Sequence, residues 1–263
     1  MQNANKVVYY SDPINDDFAG NHIETKVIDD SYPFMSRSRL WKVASSALYY
    51  LIASPAIRFI CHFIYSMRFK NKKNIRRLKG GYCIYGNHTH YSDVYLPPIV
   101  AWPKRAYTIA NADAVSLRGF SWLTAMLGAI PIPTGIKGMP EFLTAIKTTC
   151  KGGGCIGIFP EAHIWPYYTG VRPLNKVSFR YPVNWDCPMV VMATTYQKHR
   201  GLLKWRKAPR RTVYISKPMY PNYELPPKDA QAELCARAQS YLEEMTARYS
   251  TYSYVTYLPK NED

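Results

Sequence analysis

Gly81-Tyr82-Cys83-Ile84-Tyr85-Gly86-Asn87-His88-Thr89-His90-Tyr91-Ser92-Asp93 passes from an apolar run to a polar turn rich in titratable groups. The apolar half reads as a short buried strand closed by glycine. The residues after Asp93, Val94 to Leu96, read as a helical turn that Pro97-Pro98 must stop. The histidines therefore stand where a strand hands over to a helix. Open α/β sheets place their chemistry at such turns, because helix N-termini there point unpaired N–H groups at a ligand.

Working outward, the same alternation recurs. Strands are expected at 106–110, 128–133, 155–159, 188–193 and 212–216, with helices at 116–127, 139–151 and 229–249. The helix at 139–151 runs into Gly152-Gly153-Gly154, a strong stop. The strand at 155–159 delivers Pro160-Glu161-Ala162-His163 to a second polar turn. Strands and helices in this order predict an α/β fold, a mixed, largely parallel sheet with helices on both faces. Upstream, short strands are expected at 6–10 and 23–28 in an otherwise irregular, locally acidic segment.

Three arrangements of the histidine turn compete. In one, His88 is a general base whose other ring nitrogen is held by Asp93. Residues five apart lie about 140° apart around a regular helix, so His88 must then precede the helix. In another, His90 and Asp93 pair at i, i+3 on one helical face. In the third, a metal-dependent hydrolase, His88, His90 and Asp93 bind a metal, although no further ligand cluster accompanies them among the remaining histidines, His22, His62, His163 and His199.

The 263 residues include 34 basic and 18 acidic side chains, a net charge of +16 that favours polyanionic partners, whether anionic lipid, phosphorylated cofactor or nucleic acid. Nucleic acid is not expected, since no recognition motif or interleaved aromatic platform accompanies the charge. The six cysteines, Cys61, Cys83, Cys150, Cys155, Cys187 and Cys235, show no paired or metal-knuckle spacing and read as reduced core residues on the cytoplasmic side. The N-terminus has no secretory-signal pattern. From Trp41 to Met67 the chain is strongly apolar and broken by Pro55 and Arg58, and a basic cluster from Arg68 to Lys79 follows. Fifteen uncharged residues fall short of the 20 or so that span a bilayer. A helical hairpin hinged at Ser54-Pro55, lying monotopically in one leaflet above anionic headgroups, is the expectation. Three units follow: a polar extension over 1–35, the hairpin and basic linker over 36–80, and the main domain over 81–263. A non-catalytic protein that binds anionic membrane is the bland alternative.

Asn87-His88-x-x-x-x-Asp93, Gly128-x-Ile130-Pro131-Ile132, Phe159-Pro160-Glu161 and Cys187-Pro188-Met189-Val190-Val191 occur in that order. Together they resemble the four sequence blocks of the glycerolipid acyltransferases, the family of lysophosphatidate acyltransferase. That resemblance implies a membrane-bound enzyme that moves a fatty acyl group from acyl-CoA or acyl-carrier protein to a lysophospholipid hydroxyl, with no cofactor and no metal. It implies that His88 is the base, that Asp93 orients it, and that Glu161, with Phe159 and Pro160, meets the acceptor. Two arginines usual in the family are replaced here, by Thr134 after the second block and by Ala162-His163-Ile164 after the third. Lys137, Arg172, Lys176 and Arg180 are the candidate substitutes for gripping a phosphate. The basic stretch from Lys198 to Arg211 suits the donor's phosphates, an acidic carrier protein or a membrane surface.

Overall fold

Side chains alternate across each pleated strand, so a strand covered on both faces is apolar at every position. Cys83 and Tyr85 pack into one core with Ile156, Ile158, Met189 and Val191, while Ile84, Cys155, Val190 and Met192 pack into another on the opposite face. The computed structural model describes residues 6–20, 24–34, 38–116 and 119–260. In chain order its main elements are β1 (Lys6–Tyr10), α1 (Arg39–Ile64), β2 (Arg68–Lys70), β3 (Cys83–Gly86), α2 (Leu96–Ala101), β4 (Ala106–Ala110), α3 (Ser121–Leu127), β5 (Ala129–Pro131), α4 (Met139–Lys151), β6 (Cys155–Ile158), α5 (Arg180–Trp185), β7 (Met189–Gln197), β8 (Arg210–Ile215), α6 (Pro227–Tyr249) and β9 (Val255–Pro259).

The central sheet has seven strands in the order β2-β8-β7-β3-β6-β4-β5, parallel throughout except for the β7–β8 pair. Helices α4, α5 and α6 cover one face through Phe142, Ile146, Trp185, Leu234 and Leu242; α2 and the end of α1 cover the other through Leu96, Ile99, Val100 and Cys61. This is the mixed, largely parallel α/β architecture that the alternation predicts. Gly157 lets α2 lie close, because a Cβ there would sit 2.6 Å from the Pro97 ring. Pro97 and Pro98 occupy the first turn of α2, where the missing N–H has no intrahelical partner to lose. They open a helix where the sequence predicted that they would stop one. Residues 24–28 form no strand; Ile28 is buried and exchanges hydrogen bonds with Thr134.

The predicted hairpin is one continuous helix. Its 26 residues extend about 39 Å at 1.5 Å each. Pro55 does not break it because the turns on either side of 54–59 widen to π geometry: Ser54 N–H bonds to the Tyr49 carbonyl five residues back, and Tyr65 N–H to that of Ile60. By length and composition α1 could cross a membrane, although its uncharged run is the fifteen residues from Val43 to Ile57. It is nevertheless docked on the domain along its length. Ser45 donates to the Met126 carbonyl, the Tyr49 hydroxyl accepts from Ala106 N–H, and the Arg58 guanidinium lies 3.8 Å over Trp102. The face turned away exposes Leu40, Val43, Leu51, Ile52, Phe59 and Phe63.

The unit boundaries drawn at 35/36 and 80/81 do not divide the structure either. β1 pairs in parallel with β9 at the far end of the chain, and β2, inside the basic linker, is an edge strand of the main sheet. Backbone pairing carries no side-chain signature when the strand is three residues long and basic. Residues 35–37, which straddle the predicted boundary between the polar extension and the hairpin unit, lie outside the described residues, as does His22.

Candidate active site

Past Gly86 the chain continues over the carboxyl edge of the sheet. Asn87, fully buried, prolongs the ladder with its side chain: Nδ2 donates to the Thr194 carbonyl at 3.1 Å and Oδ1 accepts from Thr194 N–H at 2.8 Å. Thr89 Oγ1 meets the Tyr196 hydroxyl at 2.7 Å. The turn is thus tied to β7 at two points.

Asp93 lies in the 3-10 turn Tyr91–Tyr95, wholly buried, and is the hub of the turn. Its Oδ2 accepts from the N–H of Thr89 at 2.7 Å and of His90 at 2.8 Å, and lies 3.3 Å from His88 Nδ1; its Oδ1 accepts from Arg211 Nη1 at 3.4 Å. Arg211 also donates to Ser92 Oγ. Anchored so, Asp93 holds the His88 ring from its Nδ1 side. The ring stacks on Phe159 at 4.5 Å, with the His88 side chain 13% exposed. His88 stands before the helical turn, as the five-residue spacing requires.

β6 lies beside β3 and brings Glu161 to the same edge. Glu161 Oε2 accepts from His88 N–H at 3.4 Å and Arg172 Nε at 3.3 Å, and Arg172 Nη2 donates to the carbonyls of Glu161 and His163. Glu161 Oε1 and Arg172 Nη1 are buried without a partner. Burial pushes the Glu161 carboxyl up to about 7, against the opposing pull of Arg172.

His90 is differently employed. Its Nδ1 accepts from Ser92 N–H at 3.1 Å, its Nε2 faces the Tyr167 hydroxyl at 3.4 Å, and burial, reinforced by Arg211, pushes it down to about 4. Its backbone, not its ring, meets Asp93, so the i, i+3 pairing is not formed. Nor do His88, His90 and Asp93 turn ligand atoms to one point. Among the described residues, the metal-ligating types whose donor atoms converge are the buried thiols of Cys83 in β3, Cys150 in α4 and Cys187 in the loop just before β7, a convergence their sequence spacing concealed.

Of the predicted acceptor contacts, Phe159, Pro160, Glu161 and Arg172 gather beside His88. Arg172 is spent on Glu161. Thr134 is bonded to Ile28 beyond β5, three strands from β3 and so about 14 Å across the sheet, and Lys137 is exposed on the same loop. Neither joins the histidine turn. Lys176 begins a separate 3-10 turn, and Arg180 lies over the Tyr181 ring. His163 Nδ1 lies 3.4 Å from Asp17 Oδ2, a partner outside any predicted motif. A cavity of about 590 Å³ sits at the opposite, amino ends of β4, β5 and β6, lined by Trp41, Tyr50, Arg105 and Tyr107, and takes no part in this site.

Sequence reasoning missed Arg211, which stands in a run of basic residues with nothing to single it out. It also missed the cover over the second turn: Trp165 Nε1 donates to the Asp16 carbonyl, and its ring packs against Tyr10, Phe18 and Tyr257.

Residues 66–195 match the family model described as Acyltransferase. No curated protein matches the chain. Among solved structures the chain is similar to the 1-acyl-sn-glycerophosphate (LPA) acyltransferase PlsC from Thermotoga maritima, with a TM-score of 0.48 and 17% identity, over 81% of this chain and 96% of that one.

Proposed function

We propose, for a chain whose residues 66–195 match the acyltransferase family model, that it transfers a fatty acyl group from acyl-CoA or acyl-carrier protein to a hydroxyl of a lysophospholipid such as lysophosphatidate, at a membrane surface. The observation that carries the reading is the His88 Nδ1 to Asp93 Oδ2 contact of 3.3 Å at the rim of the sheet, with Asp93 itself immobilised by two backbone N–H groups and Arg211.

In this reading His88 Nε2 takes the proton of the acceptor hydroxyl as its oxygen attacks the thioester carbonyl. The tetrahedral intermediate collapses with cleavage of the carbon–sulfur bond, and the imidazolium returns its proton to the departing thiolate. Asp93 holds the imidazole in one tautomer and opposes the charge it acquires. Glu161 Oε1, a buried acceptor atom with no donor, suits a hydroxyl of the incoming acceptor. The docked helix α1, with its apolar outer face, suits monotopic attachment on the cytoplasmic side.

The test is thiol release from an acyl thioester in the presence and absence of lysophospholipid. His88→Ala is expected to lower acceptor-dependent release by at least about a hundredfold, the usual worth of a positioned base, while the protein still binds vesicles. Acceptor-dependent release at the wild-type rate in His88→Ala would remove the proposed base.

A further inference from the structure

The turn between β7 and β8 serves neither the sheet nor the site. Gly201–Leu203 forms a short 3-10 turn whose tip projects Leu202, 96% exposed, and Trp205, 75% exposed. Around them stand Lys198, Arg200, Lys204, Arg206, Lys207 and Arg210, and no acidic residue occurs between Asp186 and Glu224. A solvated loop has no use for a bare leucine and tryptophan, and a site for a purely ionic partner needs only the charges. Apolar tips ringed by one sign of charge match an anionic bilayer, where tryptophan settles at headgroup depth and the cations meet phosphates.

The turn is also fixed in place. Arg206 Nη1 donates to the Phe63 carbonyl and to Ser66 Oγ at the end of α1. Arg211, at the start of β8, lies 5.0 Å over the Tyr65 ring while it grips Asp93, and Tyr65 in turn packs 5.5 Å from His90. The exposed Phe63 and Ile64 of α1, the tip of the turn, and the exposed Tyr91 and Val94 of the 3-10 turn that carries Asp93 therefore belong to one connected region. We propose that the β7–β8 turn is a second membrane-inserting element, which enters the headgroup layer of anionic bilayers through Leu202 and Trp205 and, with the end of α1, seats the mouth of the His88 site on the lipid surface. Only the consequence for catalysis rests on the lipid-acceptor reading above; insertion itself does not.

The full chain is mixed with vesicles of phosphatidylcholine and phosphatidylglycerol whose acyl chains carry bromine. Trp205 is expected to be quenched, read as the difference between wild type and Trp205→Phe. Leu202→Ser/Trp205→Ser is expected to bind these vesicles at least tenfold more weakly. It should lose turnover of vesicle-borne lysolipid in parallel, yet match wild type on a short-chain lysolipid dissolved as monomer. Unquenched Trp205, or unchanged vesicle affinity in the double variant, overturns the proposal, as does a double variant whose defect is the loss of a dimer or of a soluble acidic protein partner. A wild type that inserts Trp205 but transfers no acyl group upholds the insertion and defeats the acyl-transfer reading instead.

Discussion

At the scale of single residues, two buried carboxylates at adjacent strand ends are put to different uses by their partners. Asp93 accepts from four donors, and His88 is held by what remains of that network. Replacing Arg211 by Met would leave Asp93 Oδ1 buried without a donor, a loss of about 1–3 kcal/mol. Chemical denaturation should read that loss. Glu161 is pushed up from 4.5 to about 7 by burial. Between those values the folded protein binds a proton that the unfolded chain does not, so this group's contribution to stability falls as pH rises through the window. Relative to Glu161→Gln, the wild type is therefore expected to lose melting temperature between pH 5 and 7.5, with the difference constant below about pH 4.5. A pH-independent difference would show that Glu161 does not titrate there. His90, pushed down to about 4, works in the opposite direction, which is why the comparison with the variant is needed.

At the scale of elements, α1 is a helix with two allegiances. Its inner face spends Ser45, Tyr49 and Cys61 on the domain, while its outer face is left apolar. Tyr49 shows the strength of the docking, since its hydroxyl accepts the N–H of Ala106 where β4 begins. Tyr49→Phe is expected to lower stability by about 1–3 kcal/mol in a denaturant titration, because the Ala106 N–H is then buried without an acceptor. An unchanged midpoint would mean that α1 is only loosely laid on the sheet. The proline that sequence reading took for a hinge is absorbed by the widened turns on either side of it.

At the scale of the whole molecule, the first and last described strands pair and, with Phe18, cover the second polar turn. β1 pairs with β9, and Tyr10, Phe18 and Tyr257 enclose Trp165, four residues after Glu161. Removal of residues 1–20 is expected to leave far-UV circular dichroism nearly unchanged, since the seven-stranded sheet loses no strand. It should lower kcat/KM by about tenfold, or 1.4 kcal/mol, by loosening the segment that carries Glu161. Wild-type kcat/KM in the truncated protein would confine β1 to a role in stability. The alternation of apolar strands with glycine- and proline-marked turns determined the sheet, and the blocks around His88, Asp93 and Glu161 marked the two turns that the sheet sets side by side. Both are local: strand periodicity and a five-residue spacing are written into consecutive residues. What only the tertiary structure decided was which distant group completes each local one: Arg211 for Asp93, Arg172 for Glu161, β9 for β1, and three thiols drawn from a strand, a helix and a loop. Such pairings depend on strand order and on the path of the loops, which the energy of the whole packed chain selects and which no window of consecutive residues contains.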